Sequence, residues 1–425
     1  MSSRYAPLKI SLSLVLLLLS LIIHAQKIPL DSYVRVVEGY DWGPAVSQVI
    51  IPLEKKQESF DHTQFEVLAS KSSECLTDDS PGLSGKREIL YSFISDRAGN
   101  RIEKGDHATL VLSVGPGLAI GSPMQYFGGK CNGTRWVDYS MTIKNQASGQ
   151  LWNKEYDWIS PIVDQFDLKG TFTPEGREPL TYASYAPTIK ASERSPLIIW
   201  LHGGGEGGTD TTVPLLANKA TNYASDEIQA IFGGAYVLVP QCQGAWMHNE
   251  KGISTWGKEN DVYHESLMTL IKDFVHKNPD IDEDRIYVGG CSNGGYMSLK
   301  LMLLDPDYFA AAYISALAFK SKFLTDEDIQ SISDQSIWFI HSADDPVTPA
   351  KETAIPVYDR LIRAGAADVH LSLYDHVVDL YGIYGGKNYR YHGHLSWIYA
   401  HSNHAAKVID GKYTTVMQWM SSKTK

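Results

Sequence analysis

The stretch 285–295 carries the residues best suited to chemistry. It reads R-I-Y-V-G-G-C-S-N-G-G, so a short β-prone run leads into a glycine-rich turn, and a helix-forming segment follows at 296–304. Ser292 stands at the apex, in a G-x-S-x-G match with Gly290 and Gly294. A serine on a tight strand-to-helix turn has its hydroxyl held out into solvent, and small flanking residues allow the turn. The pattern predicts a nucleophilic serine, the alternative being an ordinary strand–helix loop.

A second glycine-rich loop follows an apolar run. It reads H-G-G-G-E-G-G over 202–208, and glycines let backbone N–H groups approach a ligand closely. H-G-G-G after a strand is typical of a loop that binds the oxyanion of acyl transfer. A nucleotide-binding loop is the rival interpretation, but the run lacks G-K-[ST]. Such a site needs two N–H donors, which we assign to Asn293 and Gly204, with Gly203 or Gly205 as substitutes.

A serine needs a base to take its proton and a third group to orient that base. The predicted strand 337–340 runs into Asp344 and Asp345, so a carboxylate lies at the same edge of the sheet as Ser292. We choose Asp345, which directly precedes a proline, over Asp344. The alternative is that Asp-Asp-Pro only forms a turn and has no catalytic role.

Histidine is the base whose titration suits neutral pH. The loop after the predicted strand 369–373 carries His376, His392 and His394. We choose His394, because the order Ser292, Asp345, His394 is that of α/β hydrolases. His392 and His394 as metal ligands are the alternative, but no third ligand at a known spacing accompanies them. We therefore predict no metal and no cofactor.

Four further side chains are assigned by position. Trp246 and Trp397 are candidates for lining the acyl or alcohol pocket, the alternative being that both are core residues. His401 and His404 are interpreted as surface histidines near the last helix.

Alternating strands and helices organise the second part of the chain. The run 197–201, L-I-I-W-L, is continuously apolar, as in a strand buried on both faces of a parallel sheet. Similar runs follow at 235–239, 286–288, 337–340 and 369–373, with helix-like stretches at 260–277, 293–304 and 350–363. This pattern predicts an α/β domain with a largely parallel sheet at 151–425.

The first part of the chain has only β-prone runs. They lie at 34–37, 46–53, 65–68, 89–94 and 108–114, with turn signals between them. Such spacing indicates a β-sandwich, which we place at 27–150. The stretch 151–187 is a connector that ends in a hairpin. Because it is rich in aromatic residues, we expect a packed interface between the domains and not a flexible linker.

Composition limits the class of protein. A length of 425 residues favours two domains, and 43% hydrophobic with 20% charged residues is ordinary for a soluble globular protein. The net charge of −11 argues against nucleic-acid or anionic-membrane partners, which need a basic face.

The N-terminus predicts export. Residues 1–25 combine Arg4 and Lys9 with the apolar run 10–23 and the small residue Ala25. This is the pattern of a cleaved signal peptide, and the apolar run is shorter than a membrane span needs. An uncleaved anchor is the alternative. We expect a secreted or periplasmic protein without stable membrane insertion.

Export makes disulfides possible. The four cysteines, Cys75, Cys131, Cys242 and Cys291, allow three pairings. Pairing within each predicted domain is the simplest, which gives Cys75–Cys131 and Cys242–Cys291.

The second domain resembles secreted esterases of the α/β-hydrolase superfamily, commonly described as predicted peptidases, near the polyhydroxybutyrate depolymerase and feruloyl esterase group. The matching motifs are L-H-G-G-G-E-G-G at 201–208, V-P-Q-C at 239–242, G-C-S-N-G-G-Y-M at 290–297, D-D-P-V-T-P at 344–349 and G-H-L-S-W at 393–397. The first domain resembles the immunoglobulin-like domain of EstA-type esterases, through G-Y-D-W-G-P-A-V at 39–46. One departure is Thr348, where the family usually has valine, and we expect it not to touch the catalytic residues.

This resemblance implies a two-domain serine carboxylesterase. It would act on small-molecule or polymeric esters through Ser292, Asp345 and His394 and an acyl-enzyme. A serine peptidase of the prolyl-oligopeptidase-like group is one alternative. A catalytically inactive binding protein on a hydrolase fold is another, although the intact catalytic positions speak against it.

Overall fold

The computed structural model describes residues 27–386 and 388–425. The predicted signal peptide at 1–25 lies outside these residues. Within the described ranges, no helix has the length and apolar character needed to cross a membrane.

Two packed sheets form the N-terminal part. Its strands are β1 Ser32–Tyr40, β2 Gly43–Gln57, β3 Phe65–Ser72, β4 Ser84–Arg87, β5 Ile89–Ser95, β6 Gly105–Leu112, β7 Met124–Phe127, β8 Gly133–Trp136, β9 Asp138–Asn145, β10 Leu151–Trp152 and β11 Lys154–Ile159. One sheet has the order β11-β1-β2-β6-β5 and the other β10-β9-β3-β4, while β7 and β8 form a separate hairpin. Buried and exposed residues alternate along the second half of β3, as in a strand with one face on a core. The predicted immunoglobulin-like sandwich is confirmed.

The first sheet continues past the division predicted at residue 150. Strand β11 pairs in parallel with β1, with Arg35 opposite Trp158 and Val36 opposite Ile159. Sheet membership therefore extends to Ile159. The sequence of β11, K-E-Y-D-W-I, is half charged, which hides the strand from a reading of apolar runs.

An eight-stranded sheet forms the second part, in the order β12-β13-β15-β14-β16-β17-β18-β19. The strands are β12 Asp167–Phe172, β13 Leu180–Tyr185, β14 Ser195–Leu201, β15 Tyr236–Cys242, β16 Ile281–Cys291, β17 Ala311–Ser315, β18 Ile337–Ser342 and β19 Val369–Tyr374. Pairing is antiparallel from β12 through β13 to β15 and parallel from β15 onward. Strands β14, β17 and β18 are buried at every residue, as in a sheet covered on both faces. The predicted α/β fold is confirmed, and β17 is an additional strand that the sequence analysis did not include.

Helices cover this sheet. They are α1 Thr212–Ala217, α2 Asp226–Phe232, α3 His264–Lys277, α4 Asn293–Leu304, α5 Asp326–Ser331, α6 Ala354–Arg363, α7 Ile398–His401 and α8 Val416–Ser421. Short 3₁₀ turns lie at Ala119–Gly121, Gly129–Cys131, Val163–Gln165, Ala220–Ala224, Ser321–Phe323 and Gly393–Leu395, and a hairpin of β20 Ala406–Ile409 and β21 Lys412–Thr415 precedes α8. The three predicted helices correspond to α3, α4 and α6.

One of the two predicted disulfides is present. Cys75 and Cys131 are bonded, with Cα atoms 6.0 Å apart, whereas Cys242 and Cys291 are free and buried. The second prediction is wrong because β14 lies between β15, which ends at Cys242, and β16, which ends at Cys291. Two strand spacings are about 10 Å, and a disulfide requires Cα atoms within about 7 Å.

The two parts meet in a packed interface. The Trp136 indole N–H donates to the Thr212 hydroxyl at 3.0 Å, and the Thr134 N–H donates to the Gly205 carbonyl at 2.6 Å. Gly39 lies so close to α1 that a Cβ on it would contact Leu216. These contacts agree with the expected fixed arrangement.

A shortened chain beginning at Phe166 should therefore aggregate or unfold at lower temperature than residues 27–425. Removal of the N-terminal part exposes the apolar surface of α1, and losing several kcal/mol of burial would lower Tm by roughly 10 °C or more. Thermal unfolding followed by size-exclusion chromatography measures both effects. Equal Tm and a monodisperse shortened chain would contradict the packed interface.

Candidate active site

Ser292 lies at a sharp turn between β16 and α4. Its φ is 54°, in the left-handed region, where a residue other than glycine is strained by about 1–3 kcal/mol. Two glycines permit the turn, because a Cβ on Gly294 would collide with the Leu201 carbonyl oxygen and a Cβ on Gly290 with the backbone of Gly294. The Ser292 N–H also donates to the Ser315 carbonyl at 3.0 Å. The turn is thus fixed to both neighbouring strands.

His394 joins Ser292 to Asp345. Its Nε2 lies 3.0 Å from Ser292 Oγ, and its Nδ1 lies 2.8 Å from Asp345 Oδ2. Because a carboxylate only accepts hydrogen bonds, Nδ1 carries the proton and Nε2 is free to accept one from the serine. The Trp397 ring stands edge-on to the imidazole, with centroids 5.3 Å apart. The three predicted residues are therefore brought together in the geometry expected for an activated serine.

The Asp345 carboxylate is buried and surrounded by donors. Its Oδ1 accepts the N–H groups of Val347 at 2.8 Å and Thr348 at 3.0 Å. Burial alone would raise the pKa of this carboxyl, but hydrogen bonds from His341 and His394 hold the pKa well below its usual range. Asp345 is therefore ionised at neutral pH and holds the His394 ring in one tautomer.

Thr348 touches this network, which corrects the expectation that it would not. Its hydroxyl donates to Asp345 Oδ2 at 2.7 Å, with Ala316 O at 3.1 Å as a second acceptor, and lies 3.4 Å from His394 Nδ1. The sequence motif gave only a residue type, whereas the turn after β18 folds the side chain back onto the carboxylate three residues earlier.

His341 is a further member that sequence reasoning missed. Its Nε2 lies 2.7 Å from the Thr348 carbonyl and 3.3 Å from Asp345 Oδ2, so both partners are acceptors and Nε2 is the donor. The ring is fully buried. The one available signal was a polar residue at the end of an apolar strand, four positions before Asp345.

The rejected candidates have other partners. Asp344 accepts from His376 at 2.8 Å, and this pair is on the surface with Arg390. His392 is exposed and accepts the His394 N–H. Within residues 27–386 and 388–425, no group of three or more His, Cys, Asp or Glu side chains could hold a metal ion.

His401 is not a surface histidine, which corrects that prediction. It is 1% exposed, and burial lowers its pKa to about 3. Its Nδ1 bonds to the Asn218 carbonyl, a partner supplied by a distant segment of the chain. His404 is half-buried against the Tyr381 ring.

The predicted oxyanion donors border one cavity together with Ser292. Gly203, Gly204, Gly205 and Asn293 all line it. Asn293 is the first residue of α4, where backbone N–H groups lack helical acceptors and favour negative charge. A Cβ on Gly204 would lie 2.8 Å from Asn293 Nδ2, so glycine lets the loop pack against this side chain.

His202 fixes the glycine loop. It is fully buried, and burial lowers its pKa to about 4, so the ring is neutral at neutral pH. The Cys242 N–H donates to Nε2 at 3.3 Å, which leaves the proton on Nδ1 to donate to the Gly203 carbonyl at 2.6 Å. The ring thereby ties the loop to the end of β15.

The two tryptophans that were predicted to line the pocket lie in different environments. Trp397 lines the cavity. Trp246 is fully buried between the rings of His202 and Tyr263 and does not line the cavity. Trp246 is a core residue, which corrects its assignment to the pocket. Apolar packing and pocket lining cannot be told apart from residue type alone.

The N-terminal part supplies one wall of the cavity. The lining includes Tyr126 on β7 and Thr134 on β8. Tyr126 packs on Gly205, where an added Cβ would lie 3.0 Å from the ring, and Arg135 donates to the Gly207 carbonyl at 3.1 Å. The turn of this hairpin carries Cys131 of the disulfide. The glycine loop is thus supported from outside its own domain.

Glu206 in the same loop is 7% exposed. Burial raises the pKa of its carboxyl to about 7. The Asn218 amide and the Gly203 N–H lie near the carboxylate and lower its pKa, but neither makes a hydrogen bond of normal geometry to Oε2. The Arg135 guanidinium is bonded to backbone carbonyls and not to this carboxyl.

We predict that Glu206→Gln gains stability relative to the native protein as pH rises from 5 to 8. Up to about pH 7 the folded protein keeps the Glu206 proton while the unfolded chain has lost it, so folding stability falls as pH rises toward 7 and levels off above it. A glutamine at this position does not titrate, so the variant does not lose folding stability in this way. The difference in unfolding free energy should grow by up to roughly 3 kcal/mol. Urea unfolding at several pH values measures it, and parallel curves would refute it.

Comparisons with known proteins agree with this architecture. Residues 32–154 match the esterase Ig-like N-terminal domain, and residues 187–376 match the Phospholipase/Carboxylesterase family. A poly(3-hydroxybutyrate) depolymerase from Ralstonia pickettii is 25% identical over 177 residues, which are 40% of this chain and 33% of the depolymerase. The chain thus spans about a third of that relative's length.

Among solved structures, a thermostable esterase shares the fold. It superposes with a TM-score of 0.73 at 21% identity and covers 93% of this chain and 100% of its own. The chain is a hydrolase that joins an esterase immunoglobulin-like N-terminal domain to an α/β-hydrolase domain of the phospholipase/carboxylesterase family.

Proposed function

We propose that this hydrolase is a serine carboxylesterase in which Ser292 is the nucleophile, His394 the base and Asp345 the group that orients the base. The observation that carries the proposal is the continuous contact from Ser292 Oγ to His394, at 3.0 Å, and on to Asp345, at 2.8 Å. The family match supplies the class of bond, a carboxylic ester.

The reaction follows from this geometry. Ser292 Oγ attacks the ester carbonyl carbon while His394 Nε2 takes the hydroxyl proton. The ionised Asp345 stabilises the imidazolium, and the N–H groups of Asn293 and Gly204 bind the oxyanion. Collapse of this intermediate breaks the bond to the alcohol, which leaves with the proton from His394. Water then attacks the acyl-enzyme by the same steps and releases the acid and free Ser292.

Export belongs to the same proposal. Support comes from the signal-peptide pattern at 1–25 and from the Cys75–Cys131 bond. Disulfides persist in oxidising compartments, so we infer that the enzyme acts outside the cytoplasm. Its substrates would then be small or polymeric esters that are present there.

Ser292→Ala should reduce hydrolysis of p-nitrophenyl butyrate by more than about a thousandfold, because triad nucleophiles typically contribute more than that. The matched control is Ser298→Ala on the same helix, whose hydroxyl donates to the Gly294 carbonyl and which should remain active. His394→Ala should also be inactive, whereas His376→Ala should retain activity. Fluorophosphonate labelling of Ser292→Ala, or residual activity above a thousandth, would refute the assignment.

Thr348→Val should lower kcat about 3- to 10-fold. The change removes one hydroxyl donor from the Asp345 carboxylate, and a hydrogen bond contributes about 1 kcal/mol. The remaining donors to Asp345 keep the loss small. Thr348→Ser keeps the hydroxyl and should recover the native rate. Equal rates for the serine and valine variants would show that the hydroxyl does not position the triad.

A further inference from the structure

Three buried polar atoms on the cavity wall have no hydrogen-bond partner among the described residues. They are Glu206 Oε2, Asn218 Nδ2 and Trp397 Nε1. The side chains are 7%, 8% and 6% exposed. A buried polar group without a partner is unfavourable, so each of these atoms favours binding a complementary group in the cavity. None of the three has a role in the proposed ester cleavage.

The acceptor of this set, Glu206, and its two donors, Asn218 and Trp397, are each held by neighbouring residues. Thr134 Oγ1 lies 3.5 Å from Glu206 Oε1, which leaves Oε2 as the free acceptor beside Gly203. On the other side, His401 bonds to the Asn218 carbonyl through Nδ1 and to the Trp397 carbonyl through its N–H. One histidine therefore fixes the segments that carry both free donors.

The set borders the reacting centre. Glu206 is two residues after Gly204 in the glycine loop, and Trp397 stands edge-on to the His394 ring at 5.3 Å. A substrate whose carbonyl carbon meets Ser292 would therefore have its neighbouring atoms within the same cavity as the three free polar atoms.

We propose that Glu206, Asn218 and Trp397 form a polar subsite that binds a hydroxyl group of the substrate. The proposal rests on the esterase function and names its substrate class, esters that carry a hydroxyl on the acid or on the alcohol. A hydroxyl fits because it can donate to Glu206 and accept from Asn218 or Trp397. An ammonium group cannot accept from the two donors, and an alkyl group leaves all three atoms unpaired.

Two matched ester pairs test the class. Methyl 3-hydroxybutanoate against methyl butanoate examines a hydroxyl on the acid, and 3-hydroxypropyl butanoate against propyl butanoate examines one on the alcohol. For the native enzyme, kcat/KM should favour the hydroxyl ester by about 10-fold or more in one pair, since sites built to bind a hydroxyl discriminate against its absence. The ester pair that shows the preference identifies whether the bound hydroxyl belongs to the acid or to the alcohol. A ratio near one in both pairs overturns the subsite.

Variants assign the preference to these residues. Trp397→Phe removes the N–H and keeps a ring, and Glu206→Gln keeps the shape, so each should lower the preference several-fold. Trp246→Phe is the matched control, because the Trp246 N–H is also buried and unpartnered but lies off the cavity wall, and its preference ratio should equal the native one.

An unchanged ratio in both Trp397→Phe and Glu206→Gln overturns the subsite and leaves the esterase standing. No hydrolysis of any ester by the native enzyme, or full hydrolysis by Ser292→Ala, overturns the esterase proposal and the subsite with it.

Discussion

The close approach of helix α4 to strand β14 is the constraint on which the site depends. Gly294 packs against the Leu201 carbonyl, and this contact requires the left-handed turn at Ser292. Because the parallel strands end at the same edge, the loops after β14, β16 and β18 converge there. The glycine loop, the serine and Asp345 are therefore neighbours because of the sheet alone. The histidine is placed beside them by a long loop. That loop approaches so closely that a Cβ on Gly393 would collide with Asp344.

The immunoglobulin-like domain is part of the site's support. The Thr134 N–H donates to the Gly205 carbonyl and Arg135 to that of Gly207, so β8 holds the backbone of the loop whose N–H groups are assigned to the oxyanion. The disulfide at Cys131 ties the turn of this hairpin to Cys75 in the sandwich. A loop of consecutive glycines is flexible by itself. Its fixed shape in this enzyme depends on hydrogen bonds from the other domain and on the buried His202 ring.

Much of this site could be predicted from sequence because it lies at strand ends. Ser292 and Asp345 each follow an apolar run, and parallel strands end at the same edge of a sheet. His394 lies on the long loop after β19 and was chosen from the chain order of the three residues. The predictions that failed each depended on the order of the strands in the sheet or on how deeply a side chain is buried. The Cys242–Cys291 pairing failed because β14 lies between their strands, and Trp246 and His401 were misplaced because residue type does not indicate depth. The contacts of Thr348 and His341 with Asp345 depend on the path of one turn, which no motif encodes.

Two buried carboxyl groups in this site have opposite electrostatic states, and the cause is the number of their donors. Asp345 is 4% exposed and accepts from two backbone N–H groups, a hydroxyl and His394, so it remains ionised despite burial. Glu206 is 7% exposed, has one long hydrogen bond to Thr134, and has the Asn218 amide and the Gly203 N–H nearby without a hydrogen bond of normal geometry to Oε2. Burial therefore prevails and its pKa rises. Satisfied carboxylates hold neighbouring groups in place, whereas an under-satisfied one gains most from a new partner. The same energetic rule supports the proposed role of Asp345 in orienting the base and the proposed role of Glu206 in binding a donor from the substrate.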